Sequence, residues 1–118
     1  MSSKLYVTLV FGAVVSDADL RAAGLEHHHD EGDFRNEGVA ISMSSDSNCE
    51  CRSYLWAIES HKRIADGYGV IEIPFLEFDA IRDLNAEAIM ADALGAFCRA
   101  HNLRVPDHFG WMVVSGMW

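Results

Sequence analysis

The stretch Leu5 to Val15 (LYVTLVFGAVV) constrains the fold of this chain more than any other. Its residues are mostly β-branched, aromatic or otherwise apolar. Leu5, Val7, Leu9 and Phe11 fall on one face of an extended chain, and Tyr6, Thr8 and Val10 on the other. A period of two reads as a strand, and apolar residues on both faces read as a strand in the middle of a sheet. Gly12, inside the run, fits a bulge or the close approach of another backbone.

The rest of the chain can be arranged around that strand. Ser16 or Asp17 can cap a short helix through about Ala23, which Gly24 ends. Residues 25 to 37 are polar and aperiodic, a surface loop. Gly38 to Met43 reads as a second strand with Val39, Ile41 and Met43 on one face, and Ser44 to Asn48 (SSDSN) as a turn. Residues 53 to 59 read as a third strand, with Tyr54, Trp56 and Ile58 alternating, and this strand could extend towards Ile64. A helix over 54–65 competes with it, because Leu55, Ile58 and Ile64 also share a helical face. Asp66 to Gly69 is a turn, and Val70 to Ile73 a short strand stopped by Pro74.

Residues 85 to 101 carry the strongest helical pattern, with Asn85 as N-cap and strong helix formers throughout. Ile89, Met90, Ala93, Leu94, Ala96, Phe97 and Ala100 gather on one arc, with Glu87, Asp92 and Arg99 outside its centre. A turn from Phe78 to Leu84 could join the helix. His101-Asn102 ends it, and Pro106 forbids continuation. Trp111 to Gly116 closes the chain as a strand. The expectation is one α+β domain over residues 1–118: an antiparallel sheet of four to five strands with a short first helix and a long C-terminal one. The order is compatible with a ferredoxin-like β-α-β-β-α-β arrangement.

Composition narrows the function. A chain of 118 residues that is 50% hydrophobic can bury a core without staples. Its net charge of −9 disfavours direct contact with nucleic acid phosphates or anionic lipid, and favours a protein partner with a basic surface. The three cysteines, Cys49, Cys51 and Cys98, are an odd and sparse set, which suggests a reducing compartment. No signal-peptide pattern and no membrane-length apolar run is present, so a cytoplasmic protein is expected.

Several constellations could carry chemistry. Leu25 to Asp33 (LEHHHDEGD) offers His27, His28 and His29 beside acids, and these with Cys49 and Cys51 could bind zinc, nickel or copper. In an extended segment only His27 and His29 would share a face. Cys98 and His101 are helical neighbours, but a cysteine near a helix C-terminus is poorly placed to become a thiolate. The tail residues Trp111 and Trp118 suit either a core or an interface, and an interface contact would allow a homodimer. The acids Glu26, Asp30, Glu31, Asp33 and Glu37 cluster in the first long loop, while Asp79, Asp83 and Glu87 recur at fourfold spacing. Phosphate-binding loops, serine-hydrolase elbows, calcium loops and zinc-finger spacings are all missing.

The expected function is therefore a small acidic non-enzymatic binding protein that works without a cofactor or bound metal. Glu26, Asp30, Glu31, Asp33, Glu37, Asp79, Asp83 and Trp118 would meet a basic protein partner. By analogy, a phage or mobile element could use such a domain to inhibit a host nucleic-acid-binding machine. Two other readings compete: a metal-binding protein built on the histidine loop with Cys49 and Cys51, and a small enzyme with an intersubunit site using His61, His101 or His108.

Overall fold

The computed structural model describes residues 5–29, 32–45, 51–66 and 82–117. The Leu5–Val15 run is strand β1, and it is central: neighbours occupy both of its edges. Along one edge runs β5, Gly110–Met117, antiparallel from Leu5↔Met117 to Gly12↔Gly110. Along the other run β3, Cys51–Ala57, opposite Gly12 to Val15, and β4, Lys62–Asp66, opposite Leu9 to Tyr6. Strand β2, Val39–Ser45, pairs with β3 alone. Counting β3 and β4 as one interrupted strand, the order across the sheet is β5-β1-β3/β4-β2, all antiparallel. That is the split βαβ order expected from the succession of elements.

The third strand breaks because residues 58–60 turn into a single 3-10 turn between β3 and β4. The helix weighed for 54–65 does not form. Tyr54 and Trp56 instead take one face of a strand, and Leu55 and Ala57 the other. The break removes a ladder partner from β1, and Ser60 replaces it: its Oγ accepts the N–H of Phe11 at 2.8 Å and donates to the carbonyl of Ala57 at 2.6 Å. Ser60 is buried. Ser60→Ala is expected to leave both backbone groups unpaired and to lower stability by about 1–3 kcal/mol. Urea unfolding checks this; a loss under about 0.5 kcal/mol would mean that another group takes over the bond.

The helices cover one face of the sheet. Helix α1, Asp17–Ala22, is capped by Ser16, whose Oγ accepts the N–H of Asp19 at 3.1 Å. Helix α2, Leu84–Ala100, is capped by Asp83, two residues before the expected cap Asn85. The Asp83 carboxylate accepts the N–H groups of Asn85 and Ala86. Both helices end alike. Gly24 (φ 74) and Asn102 (φ 58) turn left-handed, and the next residue donates back into the last turn, Leu25 to Leu20 and Leu103 to Cys98, each at 2.8 Å. This is the Schellman closure, and Leu25 and Leu103 are buried as its apolar contacts.

The main core holds Phe11, Val15, Val39, Ile41 and Leu55 of the sheet against Leu20, Met90, Leu94, Phe97 and Cys98 of the helices. On the opposite face Val10, Ala40 and Trp56 form a second, smaller buried cluster. Apolarity on both faces of β1 thus serves two clusters. The buried arc of α2 is rotated from the expected one. Glu87, Met90, Leu94, Phe97 and Cys98 face inward, while Ile89, Ala93, Ala96 and Ala100 are exposed. Cys98 is a free, fully buried thiol. Burial pushes its pKa above the ordinary 9.0, with nearby Arg99 acting weakly the other way, so it is a neutral packing group. The strand expected at 70–73 and the turn from Phe78 lie outside the described residues, as do residues 46–48 of the SSDSN turn. Ser44 and Ser45 belong to β2. No helix among the described residues is long and apolar enough to cross a membrane.

Candidate functional site

The connection from α1 to β2 holds most of the residues singled out for partner binding. It leaves the Schellman turn at Leu25 and ends in a short 3-10 turn, Arg35–Glu37. Gly38 (φ 72) then lets the chain enter β2. Its anchor is Phe34. The Phe34 ring meets Phe97 edge-on at 4.9 Å between centroids, and lies near His101 at 5.1 Å and His28 at 5.5 Å. His101 also packs on Phe97 at 4.3 Å. The connection is therefore pinned to the C-terminal end of α2 by aromatic contact.

Each described acid of the connection has a partner within the chain. Glu26 meets the Arg21 Nε at 3.1 Å, Asp33 meets His28 Nδ1 at 3.2 Å, and both Glu37 oxygens meet His101 Nε2 at 3.0 Å. The carboxylate side chains stay 39, 35 and 41% exposed. Pairs this exposed contribute little to stability, but they fix where the carboxylates point. Asp83, on α2, is exposed and occupied with capping. Asp30, Glu31, Asp79 and Trp118 lie outside the described residues; Glu26, Asp33 and Glu37 share the connection, each with its own partner, and Asp83 sits on a separate element.

The three adjacent histidines do not converge. His27 is almost fully exposed beside Glu26, His28 turns to Asp33, and His29 Nε2 reaches Ser53 Oγ at 3.4 Å. Among the described residues, no group of three or more His, Cys, Asp or Glu is placed to hold a metal ion. Cys49 lies outside the described residues, and Cys51 begins β3. The histidines of the enzyme reading are also apart. His61 lies against Trp56, His101 sits at the end of α2, and His108 lines a groove elsewhere.

Two features were not visible in the sequence. Ser53, buried on β3, donates to Asp17 at 3.3 Å while His29 reaches the same hydroxyl. The serine thus bridges acid and imidazole and ties the connection to the sheet. A nucleophilic triad instead places the imidazole between serine and acid. Glu87, read as a surface acid, is nearly buried. Arg82 grips it with Nε and Nη2 (2.9 Å at closest), and the Trp111 indole N–H donates to it at 3.1 Å. The spacing from Asp83 to Glu87 is real, but its two ends do different structural work.

A groove of about 770 Å³ runs between the end of β1 and residues 104–112. Its rim mixes Asp17, Asp19 and Asp107 with Arg52, Arg104 and His108. Charges of both signs give it no single electrostatic preference. No known protein family, no curated protein and no solved structure matches this chain.

Proposed function

We propose that the protein is a non-enzymatic binding protein that docks an acidic surface on a protein partner with a basic surface. One observation supports this above the others. Between Ser16 and Glu37 the sequence has seven carboxylates against two arginines, and four of them, Asp17, Glu26, Asp33 and Glu37, are held by side-chain contacts within the chain. Carboxylates already oriented lose less freedom when a partner arrives. Their shared field speeds encounter with a basic surface and repels acidic ones. A protein that itself binds nucleic acid presents such a surface, and occupation of it would inhibit that protein.

The test is affinity capture from cell extract by the full chain, with mass spectrometry, followed by association kinetics on the captured protein. The reversal Asp30→Lys, Glu31→Lys, Asp33→Lys is expected to slow association by about tenfold or more, and added salt is expected to do the same to the native protein. Association indifferent to both would overturn the proposal.

A further inference from the structure

We infer that β5 is a pairing edge for a second copy of this chain, joined to its counterpart antiparallel about a two-fold axis. The direction of the backbone groups follows from β1. The N–H of Phe11 points to Ser60, on the β3/β4 side. Successive residues of a strand point their N–H and C=O to alternate edges, so Thr8, Val10 and Gly12 point to β5. Their opposite numbers are Val114, Met112 and Gly110. The Thr8 hydroxyl also donates to the Val114 carbonyl, which places that carbonyl on the inner side. Trp111, Val113, Ser115 and Met117 consequently direct their N–H and C=O outward. Among the described residues no strand pairs with that outer edge.

An open edge is usually blunted by lysine, proline or a bulge. Strand β5 has none of these: its ladder with β1 is unbroken from Met117 to Gly110, and GWMVVSGM contains no charge and no proline. Val113 is 63% exposed. Charge selects the occupant. In a chain of net charge −9, residues 108–118 contain no Asp, Glu, Lys or Arg. Two copies can meet here without setting carboxylate against carboxylate. Two other strands have an unpaired edge among the described residues: β2, flanked in sequence by Glu37 and Asp46, where a second copy meets like charge, and β4, which carries Lys62, Arg63 and Asp66 and so lacks the uncharged character of β5. With the axis at Val114, Val113 pairs with the partner's Ser115 and Trp111 with the partner's Met117. All four outward residues are then used, giving about eight interchain hydrogen bonds. The joined sheet leaves β2 and β4 on both outer sides.

The experiment is sedimentation equilibrium of the full chain over a concentration series, with amide hydrogen exchange read by NMR. The expected mass rises with concentration from 13.1 kDa to twice that value and stops. In the dimer the amides of Val113 and Ser115 exchange at least about tenfold more slowly than in the monomer, while those of Met112 and Val114 are protected in both. Val113→Pro removes an N–H that the chain's own ladder does not use, a position where an edge strand tolerates proline. It is expected to keep cooperative unfolding and lose the dimer. Should it fail to fold, Val113→Lys at this exposed site gives the same reading. A mass of 13.1 kDa throughout, growth beyond two copies, or a dimer that keeps its mass in these variants or lacks the alternating protection would overturn the inference.

Discussion

Gly12→Ala is expected to abolish cooperative folding. A Cβ at position 12 would lie 1.8 Å from the Leu55 carbonyl oxygen and 2.7 Å from the Trp56 Cα. Both are backbone atoms of β3, on the rung where Gly12 faces Trp56. A flexible side chain could swing away, but a strand held in a ladder on both sides cannot. Relief requires pulling β3 off β1 at the rung where the two strands begin to pair, next to Phe11 and Leu55 of the main core. Overpacking by a methyl group in a yielding core costs about 1–3 kcal/mol. Here the clash is with fixed backbone, and a loss of about 4 kcal/mol or more is expected, most of the stability of a small domain. The control lies across the same strand. Gly110 faces Gly12 on the β5 side and has open space where a Cβ would go, so Gly110→Ala is expected to change stability by no more than about 1 kcal/mol. Thermal and urea unfolding of the two variants test the contrast. A Gly12→Ala protein that melts like the native chain would show that β3 can move aside.

Much of this architecture was legible because one rule at a time decided it. Strand β1 shows on both faces the apolarity that a central strand needs, and Ser16 and Gly24 bracket α1 as capping chemistry requires. Reading failed where two rules competed. Asp83 and Asn85 both suit a helix start, and the sequence does not show which one the backbone reaches first. Glu87 falls outside the centre of the arc that the apolar residues define, and a charge is costly to bury, yet Arg82 and the Trp111 indole, the latter 24 residues away in sequence, meet that cost. With Glu87 inside, the arc rotates and the alanines, too small to favour either side, turn outward. Residues 58–60 break a strand that alternation alone would continue, since a buried serine hydroxyl can stand in for a ladder bond. The acidic connection was recognisable as a charged surface segment. Its anchoring was not, because Phe34 stood alone in a polar stretch and its contacts, Phe97 and His101, lie more than sixty residues further on.

That anchoring predicts a large effect for Phe97→Ala. Phe97 is 2% exposed and belongs to the main core beside Leu94 and Cys98. Truncating a buried phenylalanine costs about 3–5 kcal/mol through lost burial and the cavity left behind. The effect also has a direction. The cavity opens beneath Phe34 and His101, the two rings through which the acidic connection touches α2. Residues 26–37 are therefore expected to become more sensitive to limited proteolysis than α1 or the sheet, under conditions where the variant is still folded. Glu37→Ala removes only the exposed contact with His101 and is expected to cost less than about 1 kcal/mol. The comparison separates an apolar anchor from an ionic one. Equal losses in the two variants, or cleavage of Phe97→Ala spread evenly along the chain, would mean that the connection is held by its charges. If the ring is the anchor, the variant keeps every carboxylate of the acidic surface but not their fixed positions. Association with a basic partner should then weaken with its salt dependence intact, since the charge remains and only its preorganisation is lost.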